Sequence, residues 1–130
     1  MAKTIEKPFI DPYLLQEVKC SIQIERQVII HCVYPSQFEE GNLIRIWPTT
    51  VLLDRESGHK SRLLHAENIS YYPYWTPVPQ GKNYHFTLIF SGLPKQCTEF
   101  DLIEVIPEAG GFYVPRIKRN TKDIYNVTIC

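Results

Sequence analysis

The sequence predicts an all-β domain of antiparallel sandwich type, with about 7–9 short strands. Three observations predict it. Runs of alternating apolar and polar residues recur along the chain, clearest in 28–34 (VIIHCVY) and 83–92 (NYHFTLIFSG). Pro- and Gly-containing turn signals separate these runs at intervals suited to a sandwich. Helical periodicity is nearly absent, and no strand–helix–strand alternation calls for a parallel sheet.

The elements follow in order. Residues 1–16 read as an arm or linker, where Asp11-Pro12 suits the start of one short helix over YLLQEV. The domain is expected to occupy 17–130. Residues 19–24 (KCSIQI) alternate, and only Glu25, Arg26 and Gln27 separate them from 28–34, so a hairpin is expected. Val28, Ile30, Cys32 and Tyr34 share one face of its second strand. LIRIW (43–47) reads as a strand stopped by Pro48, and TVLLD (50–54) as another. Asp54 to Gly58 form a turn, and 59–69 is read as a strand.

YYPYWTPVPQG (71–81) is unlike the rest. Pro73, Pro77 and Pro79 remove three backbone donors, so this is a stiff connection and not a central strand. After it, Tyr84, Phe86, Leu88 and Phe90 line one face of a strand. Leu93-Pro94-Lys95 turns the chain into EFDLIEVI (99–106), with Phe100 and Leu102 on one face. FYVPRI (112–117) is edge-like because of its proline, and DIYNVTIC (123–130) closes the chain.

Composition excludes several classes. The chain has 130 residues, 44% hydrophobic and 22% charged, which is too apolar for a disordered chain. Lys+Arg and Asp+Glu are 14 each, and this balance argues against a general phosphate-backbone binder, so no nucleic acid is expected. No run approaches the roughly 20 apolar residues of a membrane helix. Charges at Lys3, Glu6, Lys7 and Asp11 interrupt any leader-like core. As written, the chain is expected to be cytoplasmic, with an envelope location if a leader has been removed.

The stretch FTLIFSGLPKQCTEFDLIE (86–104) carries a pattern of strand, Leu-Pro-Lys, short turn, then Phe-Asp-hydrophobic-Ile-Glu. It resembles small immunoglobulin-like β-sandwich domains of Bacteroidetes-type bacteria, and the likeness extends over roughly 19–129. The VIIHCVY and IRIWP strands, the TVLLDRESGHK hairpin and Trp75-Thr76-Pro77 agree with it. The resemblance implies an immunoglobulin-like fold and carries over no catalytic residue.

Binding is the expected role, with a protein partner or a structural part in an assembly, and homodimerisation through strand pairing is an open option. The candidate surface is Tyr71, Tyr72, Tyr74 and Trp75, since flat rings stack on sugars and on proline-rich peptides. Trp75 is read as a lid on the core, and the three tyrosines as the more exposed rings. A carbohydrate-binding module using loop 71–80 is the alternative. A basic run, Arg116, Lys118, Arg119 and Lys122, either meets an acidic partner or protects an edge strand, and edge protection is favoured.

Reaction chemistry finds no constellation. No CxxC pair occurs, so zinc and dithiol sites are unsupported, and no cofactor is expected. His31 and His85 are possible neighbours, but two ligands do not make a metal site. Cys32 and Cys97 are expected as thiols, because Cys97 sits in a turn and Lys95 stands where a tyrosine corner would place Tyr.

Overall fold

The computed structural model describes residues 26–35, 42–107 and 110–129. The expected arm and the segment 19–24 lie outside the described residues. Among the described residues there is no helix, and nine strands form in chain order. They are β1 (Val28–Tyr34), β2 (Asn42–Ile44), β3 (Val51–Leu53), β4 (Lys60–Glu67), β5 (Thr76–Val78), β6 (Tyr84–Phe90), β7 (Glu99–Ile103), β8 (Tyr113–Lys118) and β9 (Ile124–Thr128).

Seven of them make one sheet, ordered β9-β1-β6-β4-β3-β7-β8, which curls until it nearly closes into a barrel. β2 and β5 form a separate two-stranded ribbon. Alternation explains the curl, because one face of each long strand is apolar and must be covered. Val28, Ile30 and Cys32 of β1, Phe86, Leu88 and Phe90 of β6, and Phe100 and Leu102 of β7 are all buried in one core.

Two expectations are corrected. The sheet is mixed, since β9 runs parallel to β1, pairing Ile124 with Ile29 through Thr128 with Val33. All its other pairs are antiparallel. β1 is flanked along its length by β6 and β9. Periodicity shows which face of a strand is inward, but not which strand lies beside it. LIRIW is likewise shorter than expected, ending as β2 at Ile44 and continuing as one isolated bridge between Ile46 and Tyr71.

Polar side chains shape the connections. In the β3–β4 turn, the Asp54 carboxylate accepts from the Glu56 N–H at 3.2 Å and the Ser57 hydroxyl at 2.7 Å. Gly58 closes that turn at φ +80°, a conformation that costs glycine little. Between β7 and β8 the register slips, so that Asp101 faces both Pro115 and Arg116. Arg116 enters the left-handed region (φ 54°), and its N–H donates to Asp101 at 2.9 Å. Asp101 also accepts from Arg55. Burial acts to raise its pKa, yet the Arg116 N–H and the Arg55 guanidinium hold it below the usual carboxylate range.

Candidate functional site

The ribbon β2–β5 has two unlike faces. Ile44 and Val78 point inward and are buried, as is Ile46 just beyond β2. Leu43, Arg45 and Trp47 alternate with them and lie on the other face. Leu43 stands opposite Pro77, and Ile44 opposite Thr76, so continuing the register by one residue sets Arg45 opposite Trp75.

Arg45 organises the rings on this outer face. Its guanidinium carbon lies 3.8 Å from the Trp75 ring centre, 4.6 Å from Tyr72 and 6.0 Å from Trp47. Trp47 and Tyr72 stack on each other with centres 3.8 Å apart and planes 23° from parallel. The arrangement is a cation–π cluster that holds three rings in place on one guanidinium. Ser70 and Thr76 tie the base of the loop, since the Ser70 N–H and the Thr76 hydroxyl meet at 2.7 Å.

A cleft of about 250 Å³ opens beside this face, lined by Tyr34, Arg45, Trp47, Trp75, Phe112 and Glu104. Glu104 is buried, and its two carboxylate oxygens have separate duties. One accepts the Trp47 N–H at 2.9 Å and the other the Phe112 N–H at 3.1 Å. The carboxylate therefore ties the end of the ribbon to the start of β8. Burial raises the Glu104 pKa, and the two N–H donors and the Arg45 charge only partly offset it. A raised value means that this group stabilises the fold most at acid pH, and that the contribution is lost as pH rises through its folded pKa. Glu104→Gln is expected to destabilise by about 1–3 kcal/mol in urea unfolding at pH 7, because the amide –NH₂ must face one of two N–H donors.

The predicted aromatic residues do not form one platform. Tyr71 is half-buried and packs on the core. Tyr72 is 42% exposed, Tyr74 73% and Trp75 50%. Trp75 is thus not the lid that was expected. The ribbon register puts it on the outer face, where Arg45 covers part of it. Arg45, Trp47 and Glu104 were not singled out in the sequence. The alternation in LIRIW was the signal, since it sets Arg45 and Trp47 on one face.

The basic run also divides. Arg116, Lys118 and Lys122 are exposed, and β8 is indeed an outer strand of its sheet with Pro115 in it. Arg119 does not join them. It donates to both Asp123 oxygens at 2.6 and 3.0 Å and to the Pro94 and Cys97 carbonyls at 2.8 and 3.2 Å. His31 and Thr87 pair across β1 and β6 at 2.9 Å on the outer face of the sheet. Cys32 and Cys97 are free thiols, and burial pushes the Cys32 pKa up to about 12. Among the described residues, no three His, Cys, Asp or Glu side chains converge as a metal site would require. A second hollow, on the outer face of β3 and β7, is lined by Val51, Leu53, Ile103 and Val105 and gathers few polar groups.

No known family, no curated protein and no solved structure matches this chain, so the reading of the site rests on its geometry.

Proposed function

We propose that the domain is a non-catalytic protein-interaction module whose binding surface is the outer face of the β2–β5 ribbon with the adjoining cleft. One observation carries this reading. Trp75 is half-exposed beside a cleft, yet already held by Arg45. A large ring ordered before binding costs little entropy on association and is the kind of side chain that dominates interfaces. The chemistry of the other polar groups supports the non-catalytic part. Asp101, Asp123 and Glu104 spend their oxygens on backbone N–H groups and arginines, and the Cys32 thiol is held protonated. The immunoglobulin-like relationship is proposed on the sequence pattern of 86–104 alone.

Carbohydrate binding through 71–80 is the second reading, favoured by the exposure of Tyr74 and Trp75. It is weaker because Trp47 and Tyr72 stack on each other and Arg45 lies against the rings, which leaves no flat array for a sugar chain. The neutral charge balance and the inward use of Arg119 also speak for a protein partner over nucleic acid. Among the described residues, no helix is long and apolar enough to cross a membrane.

The test is binding of a displayed peptide library and of a glycan array by the wild type and by Trp75→Ala. Peptide binding that falls by roughly thirtyfold or more in the variant, with an unchanged unfolding midpoint, is the expected result. Glycan binding without peptide binding would overturn the reading.

A further inference from the structure

Along β4 the sheet alternates as a half-solvated sheet should, with Lys60 and Arg62 exposed and Ser61 between them buried. β3 and β7 break that pattern. Leu52 and Leu102 fill the core, yet the residues that alternate with them are Val51, Leu53, Ile103 and, just past β7, Val105. The chain is thus apolar on both faces here, as strands are when something covers each side. Val105 is nevertheless 57% exposed, and the four side chains floor a hollow of about 380 Å³.

Register explains its shape. Lys60 stands opposite Leu53, and Leu53 opposite Asp101. In the next row Arg62 stands opposite Val51, Val51 opposite Ile103, and Ile103 opposite Tyr113. Short aliphatic side chains lie between longer ones on either side, so the floor is recessed. A recess suits one bulky side chain better than the plane of a bilayer.

The charges around the hollow divide into matched and unmatched. Asp101 is engaged by Arg55, the Tyr113 hydroxyl and the Arg116 N–H, so neither it nor Arg55 is open to a ligand. Glu99 stands opposite Lys118, and Glu67 lies beside His65. Asp54 is spent inside its turn, and Glu104 faces the cleft on the other side of its segment. Lys60 and Arg62 join no ion pair among the described residues. Glu56, exposed in the turn past Leu53, is the one acid left to set against these two cations.

We propose that this hollow is a second docking surface, which takes an acidic segment of a partner protein with one bulky apolar side chain seated on Val51, Leu53, Ile103 and Val105. Covering the floor supplies affinity, and Lys60 and Arg62 select acidic segments over basic ones. The inference goes beyond the ribbon reading. Ile103 and Val105 line the hollow, whereas Glu104 and Ile106 line the cleft, so the two surfaces lie on opposite sides of one segment.

The test is selection of displayed random dodecapeptides on the full chain, with selected sequences resynthesised and measured by fluorescence anisotropy. The expected result is enrichment of Asp and Glu around one Leu, Ile or Phe. Affinity should fall roughly tenfold when Lys60→Glu and Arg62→Glu are combined, and by a similar factor in Val105→Glu. It should also weaken with added salt. These three positions are exposed, so near-ultraviolet circular dichroism is expected to stay unchanged. Trp75→Ala should leave this binding intact. Peptides that are lost with Trp75→Ala and ignore the hollow variants overturn the second surface while leaving the ribbon reading standing. Peptides without acidic enrichment, or no selected peptide, overturn it as well. Binding to vesicles of phosphatidylserine and phosphatidylcholine without peptide binding replaces the protein segment with a lipid surface and overturns the proposal. A dimer that Val105→Glu converts to monomer overturns the foreign partner in favour of a second copy.

Discussion

Replacing Asp123 with alanine is expected to destabilise the domain by about 3–5 kcal/mol, measured by urea unfolding at pH 7. Typical domains hold only about 5–15 kcal/mol in total, so this is a large share. Asp123 is 1% exposed. It accepts two bonds from Arg119 and one from the Tyr125 hydroxyl at 2.9 Å, with Arg26 at 3.9 Å. Its own backbone is in the left-handed region at φ 57°, which aspartate tolerates better than alanine. Removal leaves the Arg119 guanidinium, itself largely buried, without its counter-charge.

The pH dependence checks the cause. Burial acts to raise the Asp123 pKa, but the Arg119 bonds, the Tyr125 hydroxyl and the nearby positive charges bring it below its ordinary value. A lowered folded pKa gives stability that is complete above the unfolded value, about 3.9, and lost as pH falls through the folded one. The gap between wild type and Asp123→Ala should therefore be widest near neutrality and shrink below about pH 4. A gap that stays constant with pH would show that packing, and not charge, is what Asp123 supplies.

Much of the fold is legible in the residues. Phe86, Leu88 and Phe90 on one face, and Phe100 and Leu102 on another, alternate as half-buried strands must, and all are buried. Pro115 marks β8 as an outer strand because a proline cannot complete a ladder. Asp101 escapes the same logic. Alternation puts it on the outward face, yet it is 1% exposed, because Arg55 and Tyr113 come from elsewhere to cover it. Arg119 is misplaced for the same reason. Its position in a basic run says nothing of Asp123 and of the Pro94 and Cys97 carbonyls that receive it.

The candidate site has the same partial legibility. The aromatic residues of 71–75 are plain to read, and their prolines exclude a central strand. Their exposure depends on β2, whose register with β5 sets Arg45 against Trp75. That is a contact between segments some thirty residues apart in sequence, and a local pattern has no access to it.

The second large effect is expected at the seam where the sheet fails to close. β8 and β9 are the two ends of its strand order, and no ladder joins them. Turn 119–123 links them, with the Arg119 N–H donating to the Thr98 carbonyl at 2.8 Å. Inside the seam, Phe100 of β7 and Tyr125 of β9 meet edge to face, with centres 5.1 Å apart and planes at 81°. Side-chain packing here stands where backbone bonds stand elsewhere in the sheet. Phe100 is 1% exposed, so Phe100→Ala is expected to cost about 3–5 kcal/mol in urea unfolding, from lost transfer energy and an unfilled cavity. A double-mutant cycle with Tyr125→Leu separates the two sources, and should return a coupling of roughly 0.5–1.5 kcal/mol for the ring pair. Burial pushes the Tyr125 pKa up to about 12, so its hydroxyl stays protonated and keeps donating to Asp123 in the wild type and in Phe100→Ala. Because Tyr125 belongs to both the aromatic pair and the Asp123 network, the Phe100→Ala and Asp123→Ala costs should sum to something other than the double mutant's cost. Strict additivity would mean that the seam is held by two independent contacts and not by one.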